Sequence, residues 1–470
     1  MTTEPGDGGA RRPAPRRTLR PLLMRLHFYA GVLIGPLLVV AAITGAVYTL
    51  TPQIERIAYA EELRVPEGGR TIPVAEQIQA ARRAYPAGTL SAVQTPDGPG
   101  RTTRVVIDEP AITDGRQRTV FVDPYTGDVR GSLATSFGSL PVTSWLAGLH
   151  SNLRLGEPGR IYSETAASWL WVVVLAGLVL WIDRRRRTRK LGRLVLPDRS
   201  GPERARRVSR HAAVGTVLAL GFLALAATGL TWSKHAGPNF ADLRTSLSWT
   251  TPSVTAIGAD GDGGGAHAHH GHAATTPTGA GDPRAEQARL VVIDGALATA
   301  RNAGLRDPMS VALPSVDGNG YTATETRNRW PMQRDSVAVD PTGNAVTDEI
   351  RFADWPVMAK LAGWGIQLHM GRLFGIPNQI GLAVLALGLL YLIGVGYRMW
   401  WKRRPTGRLA APPTRGAWRQ LPRWAWLLVP VVLVVAWALP LLGITLAAFL
   451  VIDAALSRRP AVRARRSSSG

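Results

Sequence analysis

One stretch is written twice in this chain, and it limits the possible folds more than any other feature. His27-Phe28-Tyr29-Ala30-Gly31 runs through apolar residues to Thr44-Gly45, and His211-Ala212-Ala213-Val214-Gly215 runs on to Thr228-Gly229. In both copies Gly stands four residues after His, and Thr-Gly stands seventeen and eighteen after it, without a gap. Each copy is a helix-length apolar segment with an imidazole at its mouth. About 20 apolar residues span a bilayer as a helix. Segments of that kind lie at roughly 26–50, 164–182, 211–232 and 377–400, and a longer apolar region follows at about 424–456. A chain of 470 residues with its apolar residues bunched in this way reads as a membrane protein rather than a row of soluble domains.

Charge sets the expected orientation, because Lys and Arg accumulate on the cytoplasmic side of short membrane loops. Of 55 basic residues, 6 occur up to Arg25, 12 from Arg184 to Arg210, 8 from Arg398 to Arg423 and 5 after Leu456. Only 6 of the 33 acids share those segments or the membrane, so the inner side carries about +25 and the outer segments about −3. The net charge of +22 is therefore a topology signal that places the N-terminus in the cytoplasm. Basic runs that abut apolar helices point to the lipid bilayer as partner and away from nucleic acid. With no cysteine, disulfides, iron–sulfur clusters and thiolate chemistry are excluded, and any metal must be held by His, Met or carboxylate. Arg16-Arg17 before an apolar run and Ala58-Tyr59-Ala60 after it imitate a cleavable signal. The run is long for a signal and the Ala-x-Ala lies well beyond its end, so an uncleaved first helix is expected.

In order, the chain reads as a disordered basic tail (1–20), a first helix crossing outward (21–50), an extracytoplasmic α+β segment (51–143), and an interfacial His segment with the second helix (144–183). A basic cytoplasmic loop (184–210), a third helix (211–233), a flexible His- and Gly-rich insert (234–284) and a second extracytoplasmic α+β segment (285–356) follow. The rest is an interfacial His segment with the fourth helix (357–401), a cytoplasmic loop (402–423), a C-terminal apolar hairpin bent near Pro440 (424–456) and a basic tail (457–470). Helix patterns near Val74–Ala84 and Glu286–Ala303, strands at Thr103–Asp108 and Gln117–Val122, and the turn Pro124-Tyr125-Thr126-Gly127 characterise the outer segments.

A second echo extends the first. After His150, Gly156, Pro158 and Trp181 fall at +6, +8 and +31; after His369, Gly375, Pro377 and Trp400 fall at the same offsets. Val337-Ala338-Val339-Asp340-Pro341 likewise echoes Val120-Phe121-Val122-Asp123-Pro124. The expected fold is a polytopic α-helical membrane protein. It is a duplicated unit of two transmembrane helices with an extracytoplasmic α+β domain in each half, plus the C-terminal helical hairpin. Both copies begin and end inside, so they should pack as a parallel pseudo-twofold pair about the membrane normal.

That symmetry would turn His27 toward His211 at the cytoplasmic helix ends and His150 toward His369 on the outer side. Two facing neutral imidazoles can supply both axial bonds of a haem iron, and a bundle interior offers an apolar slot for the macrocycle. Arg25, Arg210, Arg154 and Arg372 lie within one helical turn of these histidines and can pair with propionates. Plainer readings stay open: hydrogen-bonded interfacial histidines, snorkelling arginines, Thr-Gly as a packing site rather than clearance for a porphyrin, and Trp145, Trp181, Trp364 and Trp400 as aromatic belts. The insert histidines His267, His269, His270 and His272 can bind a metal ion outside the membrane or form a spacer. No Gly-rich NAD or FAD fingerprint follows a strand, and neither His-Glu-x-x-His nor Gly-x-Ser-x-Gly occurs.

Arg25-Leu26-His27 leading to Thr44-Gly45, Val122-Asp123-Pro124-Tyr125-Thr126-Gly127, Leu149-His150 and their second-half counterparts resemble the PepSY-associated transmembrane proteins of bacteria, over roughly residues 20–405. That family includes inner-membrane ferric-siderophore reductases that hold b-type haems between their helices. The resemblance implies PepSY-like outer domains, two b-type haems on His27, His211, His150 and His369, and a haem-dependent oxidoreductase of the bacterial cytoplasmic membrane. Electrons from an unidentified cytoplasmic or membrane donor would enter at His27 and His211, pass to His150 and His369, and reduce an extracytoplasmic ferric chelate or siderophore for iron uptake. The alternative is a non-enzymatic PepSY-type membrane module that regulates a protease or handles a metal ion.

Overall fold

The computed structural model describes residues 18–256, 283–314, 319–402 and 421–458. The insert histidines His267, His269, His270 and His272 lie outside the described residues. The helices are α1 (Arg20–Leu33), α2 (Gly35–Tyr48), α3 (Thr51–Ala58), α4 (Ala60–Leu63), α5 (Val74–Ala84), α6 (Pro141–Asn152), α7 (Glu157–Arg187), α8 (Glu203–Leu230), α9 (Gly237–Ser246), α10 (Pro283–Asn302), α11 (Val357–His369), α12 (Ile376–Trp401), α13 (Val429–Ala438) and α14 (Pro440–Arg458). The strands are β1 (Thr89–Gln94), β2 (Thr103–Asp108), β3 (Gln117–Val122), β4 (Val129–Thr135), β5 (Met309–Ala312), β6 (Tyr321–Glu325), β7 (Ser336–Val339) and β8 (Val346–Ile350).

Among the described residues three helices are long and apolar enough to cross a membrane: α7 with 31 residues, α8 with 28 and α12 with 26. At about 1.5 Å of rise per residue each exceeds the roughly 30 Å hydrocarbon core. The apolar window of α12 is only 6% buried inside the protein, so its side chains need an apolar medium outside. The first apolar segment is α1 and α2 joined at a 58° bend. Pro36 in the first turn of α2 accounts for the break, since proline cannot continue the ladder of the preceding turn. In the tail, Leu439 leaves the helical conformation and Pro440 opens α14, so the apolar region bends where its proline lies. Ten residues of α13 reach only about 15 Å.

By packing, the chain divides into two compact units. One is drawn from Leu37–Ala167 and Gly221–Tyr391 and contains all eight strands. They form a single antiparallel sheet ordered β4-β3-β2-β1-β5-β6-β7-β8. The strands of both outer segments therefore belong to one sheet, joined where β1 pairs β5 through Ala92–Ala312, Val93–Val311 and Gln94–Ser310. Alternation along each strand builds two faces. Val105, Ile107, Val120 and Val122 pack with Ile78 and Ala81 of α5 and with Ile293, Ala296 and Leu297 of α10, whereas Phe121 turns the other way onto Leu63 and Leu140. The helices lock together: Asp294 of α10 accepts the Val74 and Ala75 amides at 2.7 and 3.1 Å, so one helix caps the start of the other.

The other unit is drawn from Met1–Pro36, Ser168–Leu220 and Leu392–Gly470. Within it α14 docks on α1 and α7: Asp453 pairs with Arg25, Phe449 meets Tyr29 at 5.7 Å, and Trp169 donates to Thr445 Oγ1 at 2.8 Å. The Arg184–Arg187 run is not uniformly solvated. Arg185 is 1% exposed and binds Asp198 at 2.9 and 3.1 Å. Its guanidinium also lies 4.1 Å over the Trp181 ring. Trp181, expected in an aromatic belt, is instead buried and donates to the Leu194 carbonyl at 2.8 Å.

Candidate functional site

The four duplicated histidines form two pairs, each inside one unit. His27 on α1 meets His211 on α8 with ring centroids 6.2 Å apart and planes at 78°. His150, near the end of α6, meets His369, the last residue of α11, at 6.5 Å and 63°. The segments carrying the second pair are stopped abruptly. After α6 the backbone turns left-handed at Leu153 and Arg154, and a Cβ on Gly159 would lie 1.8 Å from the Asn152 carbonyl oxygen, so only glycine allows α7 to begin so close. After α11, Asn378 Nδ2 donates to the Leu368 carbonyl at 2.9 Å.

The threonines of the repeated Thr-Gly explain why that dipeptide recurs. Thr44 Oγ1 donates to the Val40 carbonyl at 2.8 Å and lies 2.9 Å from His150 Nδ1. Thr228 Oγ1 donates to the Ala224 carbonyl at 2.8 Å and lies 2.7 Å from His369 Nδ1. A hydroxyl has one proton; with it assigned to the helix backbone carbonyl, each imidazole would donate from Nδ1. Nε2 then carries the free lone pair. The glycine beside each threonine receives the ring: a Cβ on Gly45 would lie 3.2 Å from His150 Cε1, and one on Gly229 3.5 Å from His369 Cε1.

His27 reaches the same state by another route. Its Nδ1 is 2.9 Å from the Val173 carbonyl oxygen, which can only accept, so Nε2 is again the unprotonated nitrogen. Gly177, one turn further along α7, lies against this ring, where a Cβ would come within 2.9 Å of Cε1. At the corresponding offset in the second half the Leu392 carbonyl lies near His211, but among the described residues no group meets His211 Nδ1 in hydrogen-bond geometry. One turn above His27 on the same helix face, no heavy atom approaches within 4 Å of where a Cβ on Gly31 would stand.

The four arginines expected near the histidines differ in placement. Arg25 is buried and engaged by Asp453, whereas Arg210 and Arg154 are exposed. Arg372 is half-buried, with Arg334 close to it. Burial, and then Arg372, push the Arg334 guanidinium down to about 10. Arg334 had no signature in the sequence, because it lies in an irregular loop with no counterpart in the first half. Thr44 and Thr228 did have one, the invariant +17 offset from His27 and His211, although the residues they hold are His150 and His369.

Chemically, each pair presents two imidazoles across a gap, and at least three of the four have Nε2 free to bind a metal. Among the described residues no group of three or more His, Asp or Glu side chains is placed to hold a metal ion, so a bare ion would lack the rest of its ligand set. No curated protein matches the chain. The family model for the PepSY-associated TM region matches residues 24–403, a stretch that takes in both histidine pairs, the whole sheet and every helix from α2 to α12. This is a membrane protein with several apolar helices, and it belongs to the PepSY-associated TM family.

Proposed function

We propose that the chain is a duplicated, multi-pass protein of the bacterial cytoplasmic membrane that carries electrons through two bis-histidine b-type haems to an extracytoplasmic ferric chelate or siderophore. The observation that carries this reading is the spacing of the two pairs. Two metal–imidazole bonds of about 2 Å, with about 1.2 Å from each nitrogen to its ring centre, call for centroids roughly 6.4 Å apart; the pairs stand at 6.2 and 6.5 Å. A haem would bring its own ligands to the metal, which a bare ion lacks here.

When bound, the haem supplies a one-electron iron couple. The chain's own residues prepare the imidazoles that would hold it. Thr44, Thr228 and the Val173 carbonyl hold the rings in orientation and in the tautomer that offers Nε2, the role outer-shell acceptors play for metal-bound histidines. Gly45, Gly229 and Gly177 let the neighbouring helix approach each ring. Arg372 and Arg334 supply positive charge suited to propionate carboxylates beside the His150–His369 pair, while Arg25 is engaged by Asp453. With haem held at both pairs, electrons would enter on the His27 and His211 side and leave on the His150 and His369 side.

The test is the reduced-minus-oxidised spectrum of protein purified after haem-supplemented expression. A b-type spectrum is expected, with His150→Ala or His369→Ala removing about half of the haem together with all acceptor reduction, and His27→Ala removing the other half. A colourless protein would sink the reading and favour a PepSY-type binding module instead; so would spectra unchanged in the variants.

A further inference from the structure

The outer segments carry slightly more acid than base, about −3 in all, yet one cleft in the sheet-bearing unit reverses that balance. It is an open, solvent-facing concavity of about 440 Å3, lined by Arg56, Arg64, Arg101 and Arg329 against only two acids, Glu67 and Asp97. Asp97 is taken by Arg101 at 2.8 Å. Among the described residues no carboxylate comes within ion-pair distance of Arg56, Arg64 or Arg329. Behind the wall, burial holds the Arg104 guanidinium below its ordinary range, with Arg101 adding to the shift.

The cleft is built rather than frayed. Arg64 and Arg101 bridge two extended segments, Val65 donates to the Gly100 carbonyl at 3.1 Å, and the Tyr125 hydroxyl accepts the Gly100 amide at 3.3 Å. Its walls are also tied to both histidine segments of this unit. Arg56 is next to Glu55, whose carboxylate accepts the Thr143 amide of α6, the helix of His150, at 2.8 Å. Arg329 adjoins Trp330, whose amide donates to the Leu373 carbonyl at 2.8 Å and whose ring meets Trp364 of α11 at 5.4 Å with planes tilted by 60°, five residues before His369.

We propose that this cleft binds a small polyanion carrying two or more carboxylate-type groups, and that the chelate reduced by the protein is of this anionic class. The binding claim stands alone; the identity of the chelate rests on the electron-transfer reading above. Guanidinium forks pair with carboxylates through two parallel hydrogen bonds, and a concavity in the range of about 300–1,000 Å3 suits a small molecule better than the flat surface of a bilayer.

Binding of gallium citrate, a redox-inert stand-in for a ferric polycarboxylate, to the full chain in zwitterionic nanodiscs tests the claim by calorimetry. We expect saturable binding that weakens at least tenfold in Arg64→Ser/Arg329→Ser, is largely retained in Arg64→Lys/Arg329→Lys, falls with added salt, and is not competed by a cationic hydroxamate chelate of gallium. Undiminished affinity in the double serine variant, with an unchanged melting temperature, would overturn it. So would equal affinity for the cationic chelate, or binding that appears only when anionic phospholipid is present, which would assign the arginines to headgroups. The readout needs no haem: a colourless protein that binds gallium citrate defeats the electron-transfer reading alone, and a haem-loaded protein that ignores it defeats the cleft alone.

Discussion

The two histidine pairs share sequence offsets and ring spacing but are held by different physics. Around His27 and His211 the ring of His27 rests on the Val173 carbonyl and the flanking contacts are ionic: Arg25, two residues before His27, pairs with Asp453. Asp198, held by Arg185, accepts a hydrogen bond from Ser209, two residues before His211, and receives a second contact through its own amide. Around His150 and His369 the supports are neutral hydroxyls inside helices. The difference teaches that a duplicated geometry can be maintained by unrelated contacts.

The largest effect expected is on the ionic side. Asp453→Ala removes the carboxylate paired with the buried Arg25, a loss that typically costs about 3–5 kcal/mol; thermal unfolding should show it, and on the proposed haem reading the His150–His369 spectrum should persist in whatever remains folded. Next comes the hydroxyl side. Thr44→Val or Thr228→Val frees the imidazole Nδ1 and should weaken haem retention at that pair by roughly 10–100-fold, while Thr→Ser restores it; haem titration separates these outcomes. If the valine variants affect both pairs alike, the contrast drawn here fails. Glycine substitutions grade the approach of helix to ring. Gly177→Ala, with Cβ 2.9 Å from His27 Cε1, should disturb its pair visibly, and Gly229→Ala, at 3.5 Å from His369, hardly at all; low-temperature spectra of the haem bands would report both.

The smallest effect is a pH dependence. The hydrogen bond from Arg185, the largest cause, holds the Asp198 carboxyl below its usual range, with Arg185 and Lys190 charges adding to it and burial opposing. A carboxyl whose folded pKa is depressed contributes stability that is fully present above its unfolded value, about 3.9, and is lost as pH falls through the folded value. Melting temperature should therefore drop on acidification below about pH 4, less steeply in Asp198→Asn. An equal slope in that variant would remove Asp198 from the account.

Local patterns in this chain were readable wherever the cause lies within a few residues. The Asp-Pro turns are an example: Asp123 Oδ1 accepts the Tyr125 amide and Asp340 Oδ1 accepts those of Asn344 and Ala345, and Gly127 and Gly343 both take positive φ. The facing of His27 with His211, and of His150 with His369, was legible because repetition carries long-range information that periodicity lacks. The β1–β5 pairing was not, since Ala92 and Ala312 have nothing in their neighbours that names the other. Nor was the burial of Arg185: a run of four arginines looks alike in sequence, and only Asp198, Leu196 and Trp181 select which one turns inward. The purpose of Thr-Gly was visible as a spacing but not as a bond, because its partner lies on another helix.

That seam between β1 and β5 has a consequence for biosynthesis. Val93 and its partner Val311 are separated by roughly 220 residues, and at about 5–20 residues per second the second arrives some 10–40 s after the first. Through that interval β1 presents unpaired amides and carbonyls along one side, an open edge of the kind that recruits foreign strands. A nascent chain halted after residue 256 should consequently capture a second copy of itself or a chaperone, and crosslinking of ribosome-bound chains would find it paired before release.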